Sequence, residues 1–119
     1  MSEKYGEIVQ KVNDAFASGD NEAFLDLCAD NVEWTIVGDQ VIKGKEALGE
    51  FMRSMDGMEA PKFTLDEVIA GENSAAARGS MTMKDQEGCE GSYEYCDLYR
   101  FDDGDKIIGL RTFLIHLKS

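Results

Sequence analysis

The hydrophobic periodicity of this 119-residue chain changes once, at Pro61, and that change limits what it can fold into. Before Pro61 apolar residues recur mainly at helical spacing, with one alternating strand among them; after it come long strand-like segments divided by turn chemistry. Tyr5, Ile8, Val9, Val12 and Phe16 make the first helical stripe, and Ser18-Gly19 ends it with a residue that tolerates a left-handed cap. Asp20 is the expected N-cap of a second helix, with Glu22 complementing its dipole and Phe24, Leu27 and Cys28 as its buried stripe. Residues NVEWTIVG alternate, putting Val32, Trp34 and Ile36 on one face of a strand. A third helix is expected over about Lys45 to Met55, presenting Leu48, Phe51, Met52 and Met55.

After Pro61, turns are expected at Ala70 to Asn73, Asp85 to Gly88 and Asp102 to Asp105. The strands between them exceed the usual five or six residues, and Gly79, Gly91 and Gly109 lie inside them, where bulges or sharp bends are expected. Long antiparallel strands with interior glycines curve strongly. The three amphipathic helices need an apolar surface to cover, and a curved sheet supplies one. The expected fold is therefore a single α+β domain over residues 1–119: three helices from the N-terminal half packed on a strongly curved, mostly antiparallel sheet that encloses a pocket.

The charge balance narrows the partners. With 24 acidic and 12 basic residues the net charge is −12, which repels nucleic-acid phosphates and anionic lipid surfaces. No apolar run approaches the length of a membrane helix, and the N-terminal MSEKYGEIVQK is charged and helical in pattern, unlike a secretory signal; a cytoplasmic protein is expected. Cys28, Cys89 and Cys96 read as reduced thiols. His116 is the one histidine and no Cys or His spacing suits zinc, so neither a metal nor another cofactor is expected. No phosphate-binding glycine loop is present.

One acid stands out. Asp102, Asp103 and Asp105 belong to a solvated turn, whereas Asp97 lies inside a run of tyrosines and apolar residues. Strand parity gives Tyr93, Tyr95, Asp97, Tyr99 and Phe101 one face, the inner one, and Ser92, Glu94, Cys96, Leu98 and Arg100 the other. The same alternation turns Met81 and Met83 inward and Arg78 outward, where Arg78 and Arg111 are expected to pair with acids. In the last strand, Ile108, Leu110, Thr112, Leu114 and His116 share one face, and Ile107, Arg111, Phe113, Ile115 and Leu117 the other. Two apolar faces imply a covered outer surface, hence a homodimer packed through it. The pocket is expected to be lined by Trp34, Ile36, Met55, Met83, Tyr95, Tyr99, Leu110, Thr112 and Leu114, with Asp97 as its main polar group. The bland alternatives are a buried carboxylate satisfied by tyrosine hydroxyls or backbone, a core role for Trp34 and the methionines, and a rim position for His116.

The stretch ASGDNEAFLDLCADNVEWTIVG, the GKEALGEFM opening of helix three and CDLYRFDDGDKI running into the last strand together resemble the superfamily of nuclear transport factor 2, ketosteroid isomerase and SnoaL-like polyketide cyclases. The resemblance covers nearly the whole chain and implies the cone-shaped fold; the fold itself hosts enzymes, adaptors and scaffolds. In ketosteroid isomerases a protonated aspartate and a tyrosine form the oxyanion hole and a second aspartate is the base. Asp97 matches the oxyanion-hole aspartate, but the base position falls on Ile36, the helix-one tyrosine on Val12, and the supporting tyrosines near Cys28 and Met52. Limonene epoxide hydrolases need two aspartates bridged by arginine, and the inner faces supply one acid. The SnoaL-like cyclases fit better, since their chemistry can rest on one pocket acid. Three readings follow: cofactor-independent acid/base chemistry through Asp97 on a small apolar or aromatic carbonyl compound, with Tyr95 or Tyr99 orienting its oxygen; a non-catalytic module for a small hydrophobic ligand; or a dimeric scaffold whose cavity its own side chains fill.

Overall fold

Helix α1 (Ser2–Ser18) leads through Gly19, at φ 73°, into α2 (Asn21–Asp26), whose first turn is capped by the Asp20 carboxylate accepting from Ala23 N at 3.2 Å. The computed structural model describes residues 2–54, 62–84 and 87–117. There follow β1 (Cys28–Ile36), β2 (Gln40–Lys43), α3 (Lys45–Arg53), β3 (Lys62–Phe63), β4 (Glu67–Gly71), β5 (Ser74–Lys84), β6 (Glu90–Phe101) and β7 (Ile107–His116). The sheet runs β2-β1-β7-β6-β5-β3, with β4 also on β5; β1 and β7 are parallel and every other pair is antiparallel. The helices cover one face, where Val9, Val12, Phe24, Leu48 and Met52 meet Tyr99, Phe101, Ile107 and Leu110 in one core. The expected α+β architecture, three helices on a curled sheet, is the one formed.

Several expectations are corrected. Cys28 is buried as the first residue of β1, not as part of α2, which ends two residues earlier. Strand β2 was not foreseen: Val37 to Asp39 turn the chain back and Trp34 pairs with Ile42. Helix α3 is described to Arg53, and Met55 lies outside the described residues. Ile107 sits in the core with no exposure, not on the outer face, because the register slips by one residue where Arg100 pairs with Gly109 and Phe101 with Ile107. A slip of one flips a side chain to the other face.

Gly109 lies at this slip, as an interior glycine at a bulge would, but the other two act differently from expectation. The β5–β6 ladder is unbroken from Ser74↔Arg100 to Lys84↔Glu90, so neither Gly79 nor Gly91 marks a bulge there. Gly79 instead admits a neighbouring backbone. Between β3 and β4 the chain bows over β5 at Thr64 to Asp66, and a Cβ on Gly79 would lie 2.0 Å from the Thr64 carbonyl oxygen and 2.9 Å from the Tyr95 hydroxyl. The Asp102 turn forms as expected, its Oδ1 accepting from Gly104 N and Lys106 N at 2.9 Å each. On the outer face Arg78 pairs with Glu67 at 2.8 Å and reaches Glu94 at 3.9 Å.

Candidate functional site around Asp97

Strands β6 and β7 position the site. Their register sets Tyr95 opposite Leu114, Asp97 opposite Thr112 and Tyr99 opposite Leu110, while β5 sets Ala77 against Asp97 from the other side. Burial alternates along β6 as parity requires: Tyr95, Asp97, Tyr99 and Phe101 are buried, and Glu94, Leu98 and Arg100 are exposed. Asp97 is only 7% exposed. A carboxyl in that position has lost most of its water, and little replaces it.

The replacement comes from one side. Thr112 donates its hydroxyl proton to the Asp97 carboxyl. The Thr112 oxygen in turn accepts from Trp34 Nε1 at 2.8 Å. Asp97 Oδ1 has no hydrogen-bond partner among the described residues. Burial lifts the carboxyl from 3.8 to about 6, and the Thr112 hydrogen bond restrains the rise by favouring the charged form. The bland alternative for Asp97, full satisfaction by tyrosine hydroxyls or backbone, does not hold at Oδ1.

The two flanking tyrosines differ. Tyr95 donates to the Thr64 carbonyl at 2.6 Å and accepts from Asn13 Nδ2 at 3.1 Å, so its hydroxyl pins β6 to the β3–β4 connection and to α1. Burial raises its pKa, and the Asn13 hydrogen bond opposes the rise. Tyr99 is fully buried and its hydroxyl has no partner among the described residues. Burial first, then the neighbouring Asp97, Tyr95 and Cys28, pushes its pKa far up, so it stays a protonated donor at neutral pH. Cys28, also buried, is pushed up to about 12 and behaves as a hydrocarbon-like thiol.

The apolar residues expected around Asp97 fall into two groups. Leu110 is buried and belongs to the core, while Trp34 and Ile36 are half-buried and pack against it. Trp34 is the hub of an aromatic cluster, 6.1 Å from Phe16, 6.0 Å from Phe24 and 5.8 Å from Phe51 between ring centroids. Met83 is half-buried and Leu114 exposed, toward the end of the sheet where His116 lies 4.9 Å from Tyr93. His116 is thus exposed, as a rim residue would be. A surface groove of about 260 Å³ between α1 and α2, lined by Lys11, Asp14, Ser18 and Leu27 among others, includes none of these residues.

Sequence reasoning missed Asn13 and Phe63 as interior partners. Asn13 carried a readable signal: it stands four residues after Val9, on the buried stripe of α1, where a polar side chain needs a partner. Phe63 follows Pro61 and gave no periodic signal, yet its ring meets Tyr95 edge-on at 5.9 Å.

A curled sheet closed on one face by three helices, with one buried carboxyl on its inner wall among the described residues, defines the cone-shaped α+β class of nuclear transport factor 2-like proteins. Comparison bears this out: an NTF2-like protein of unknown function from Cytophaga hutchinsonii is 35% identical over 97% of this chain and 99% of its own, at a TM-score of 0.79. SalBIII, an epoxide hydrolase/cyclase-like enzyme in pyran ring formation in the polyether salinomycin, shares the fold at 23% identity, covering 94% of this chain and 91% of its own, TM-score 0.83. So does a Mycobacterium tuberculosis protein solved in complex with estradiol-17beta-hemisuccinate, at 22% identity over 88% of each chain and a TM-score of 0.76. No curated protein sequence matches the chain. The SnoaL-like domain family matches residues 9–109, and the chain belongs to that family.

Proposed function

We propose that the protein takes a small hydrophobic or aromatic carbonyl compound into the interior of its cone and that Asp97 moves a proton on it, without a cofactor. The observation that carries this reading is a buried carboxyl, lifted to about 6, with one oxygen left unpartnered on an otherwise apolar wall. An acid/base group near neutrality transfers protons efficiently in both directions. Ionised, Asp97 accepts a proton from the carbon beside a carbonyl; protonated, it returns one. Tyr99, a neutral donor on the same wall, suits the enolate oxygen better than Tyr95, whose hydroxyl is already held by Thr64 and Asn13. The pyran-forming role of SalBIII and the estradiol-17beta-hemisuccinate bound by the mycobacterial protein are in keeping with small, largely apolar substrates.

A second reading, a non-catalytic binding module or dimeric scaffold, is favoured by the aromatic cluster around Trp34, which fills interior space with the protein's own side chains. Ile36 and Val12, at the positions of an isomerase base and tyrosine, also favour it. In either case we propose a homodimer through the outer sheet face, where Leu98, Phe113 and Ile115 stand exposed on adjacent strands with no helix over them among the described residues.

One experiment separates the readings. Trp34 is the sequence's one tryptophan, so its fluorescence reports ligand entry directly. With 2-tetralone as an enolisable probe, saturable quenching and faster exchange of its α-hydrogens in D2O, slowed roughly 100-fold by Asp97→Asn, are expected for the acid/base function. Exchange that the substitution leaves intact refutes it. Quenching without exchange supports the binding module.

A further inference from the structure

Thr112 and Trp34 entered as residues of an apolar lining, but their polar atoms form a directed chain that ends on Asp97. An indole N–H only donates. Trp34 Nε1 at 2.8 Å therefore occupies an acceptor site of Thr112 Oγ1 and leaves the hydroxyl proton for the carboxyl it faces across the β6–β7 ladder. Donors aligned in this sense polarise one another and strengthen the terminal bond. The chain is tied to rigid parts: Trp34 is wedged among Phe16, Phe24 and Phe51, and its strand runs parallel to β7, with Ile36 paired to Thr112.

We infer that Thr112 and Trp34 are positioning residues for Asp97, which hold one carboxyl oxygen as a fixed acceptor and leave Oδ1 as the oxygen that carries and delivers the proton. The oxygen that accepts from Thr112 is the poorer place for a proton, so protonation falls on Oδ1, which has no partner among the described residues. The inference rests on the reading of Asp97 as the acid/base group.

The groups facing Asp97 leave the chain's effect visible. Tyr95 and Tyr99 flank it on β6, Ala77 opposes it on β5, Thr112 on β7, and Asn13 of α1 reaches only Tyr95. Cys28 of β1 bears on Tyr99. Desolvation and the Thr112 hydrogen bond are the influences on the Asp97 carboxyl, with no charged neighbour among them.

The test is a carbon-detected NMR titration of the Asp97 carboxyl in the wild type, Thr112→Val, Thr112→Ser and Trp34→Phe. Valine matches the shape of threonine without its hydroxyl, so the midpoint is expected to rise by about one pH unit. Serine restores the hydroxyl and should return the midpoint to within a few tenths of a unit of wild type. Trp34→Phe, which keeps a ring in the cluster and removes the N–H, should raise it by a smaller amount. A midpoint unmoved by Thr112→Val, or moved by it but unmoved by Trp34→Phe, overturns the positioning chain. A wild-type midpoint at or below 4 refutes the acid/base reading itself, so the two failures are distinguishable.

Discussion

Replacing Asp97 by asparagine should stabilise the protein at neutral pH and leave it little changed in acid. The carboxyl titrates at 3.8 when free and at about 6 in the fold, where burial disfavours its charge. At 1.36 kcal/mol for each pH unit, the difference amounts to about 3 kcal/mol. Because the folded value is the higher one, the native state holds the proton more tightly than the unfolded chain does. Its contribution to stability is full below 3.8 and is lost as pH rises through about 6. At pH 7.5 the wild type thus carries a buried charge that costs on the order of 3 kcal/mol, and at pH 4 only about 0.5 kcal/mol of that cost remains. The asparagine amide is neutral throughout and keeps an acceptor for Thr112, so its own packing offset does not vary with pH. Urea unfolding of both proteins from pH 4 to 7.5, analysed as the difference between them, should show the variant gaining about 2 to 3 kcal/mol across that range, with most of the gain before pH 6. A difference that stays flat with pH would refute the reasoning, since it would mean that Asp97 ionises in the fold as it does in water. A stabilising substitution that abolishes proton exchange would mark Asp97 as a group whose cost to the fold serves its chemistry.

Two structural predictions follow from close contacts and exposed faces. Gly79→Ala places a methyl group 2.0 Å from the Thr64 carbonyl oxygen, a backbone atom that cannot rotate away, and disturbs the Tyr95–Thr64 hydrogen bond. A loss of about 3 kcal/mol and a fall of roughly 10 °C in Tm are expected; calorimetry showing a fall under about 2 °C would mean that the β3–β4 connection is free to move. Ile115 is 64% exposed on the outer sheet face, so Ile115→Glu should convert the proposed homodimer to a monomer while leaving the circular dichroism spectrum intact. Light scattering that finds the wild type monomeric at micromolar concentration would rule out the dimer.

The inward placement of Tyr95, Asp97 and Tyr99 was legible because the β5–β6 and β6–β7 ladders run without interruption through those residues, and period-2 parity is reliable wherever a ladder is continuous. Parity failed at Ile107 for the complementary reason: the slip beside Arg100 is a property of two strands together, and neither strand records it alone. Gly79 was recognisable as a special position, but the cause, a carbonyl from a segment fifteen residues away, belongs to no local pattern.

By itself, then, the sequence determined the three helices and the long strands after Pro61, the curved sheet with its helical cover, and the presence of one acid on an apolar inner face. These follow from local periodicity, capping and turn chemistry, which depend on near neighbours. The tertiary structure alone decided what that acid is: that its Oδ1 has no partner among the described residues, that Thr112 faces it from the next strand and itself accepts from Trp34, and that Tyr95 is already committed to Thr64 and Asn13 while Tyr99 is not. Such contacts join residues up to 82 positions apart, and the desolvation that sets the Asp97 proton affinity exists only when all of them close together.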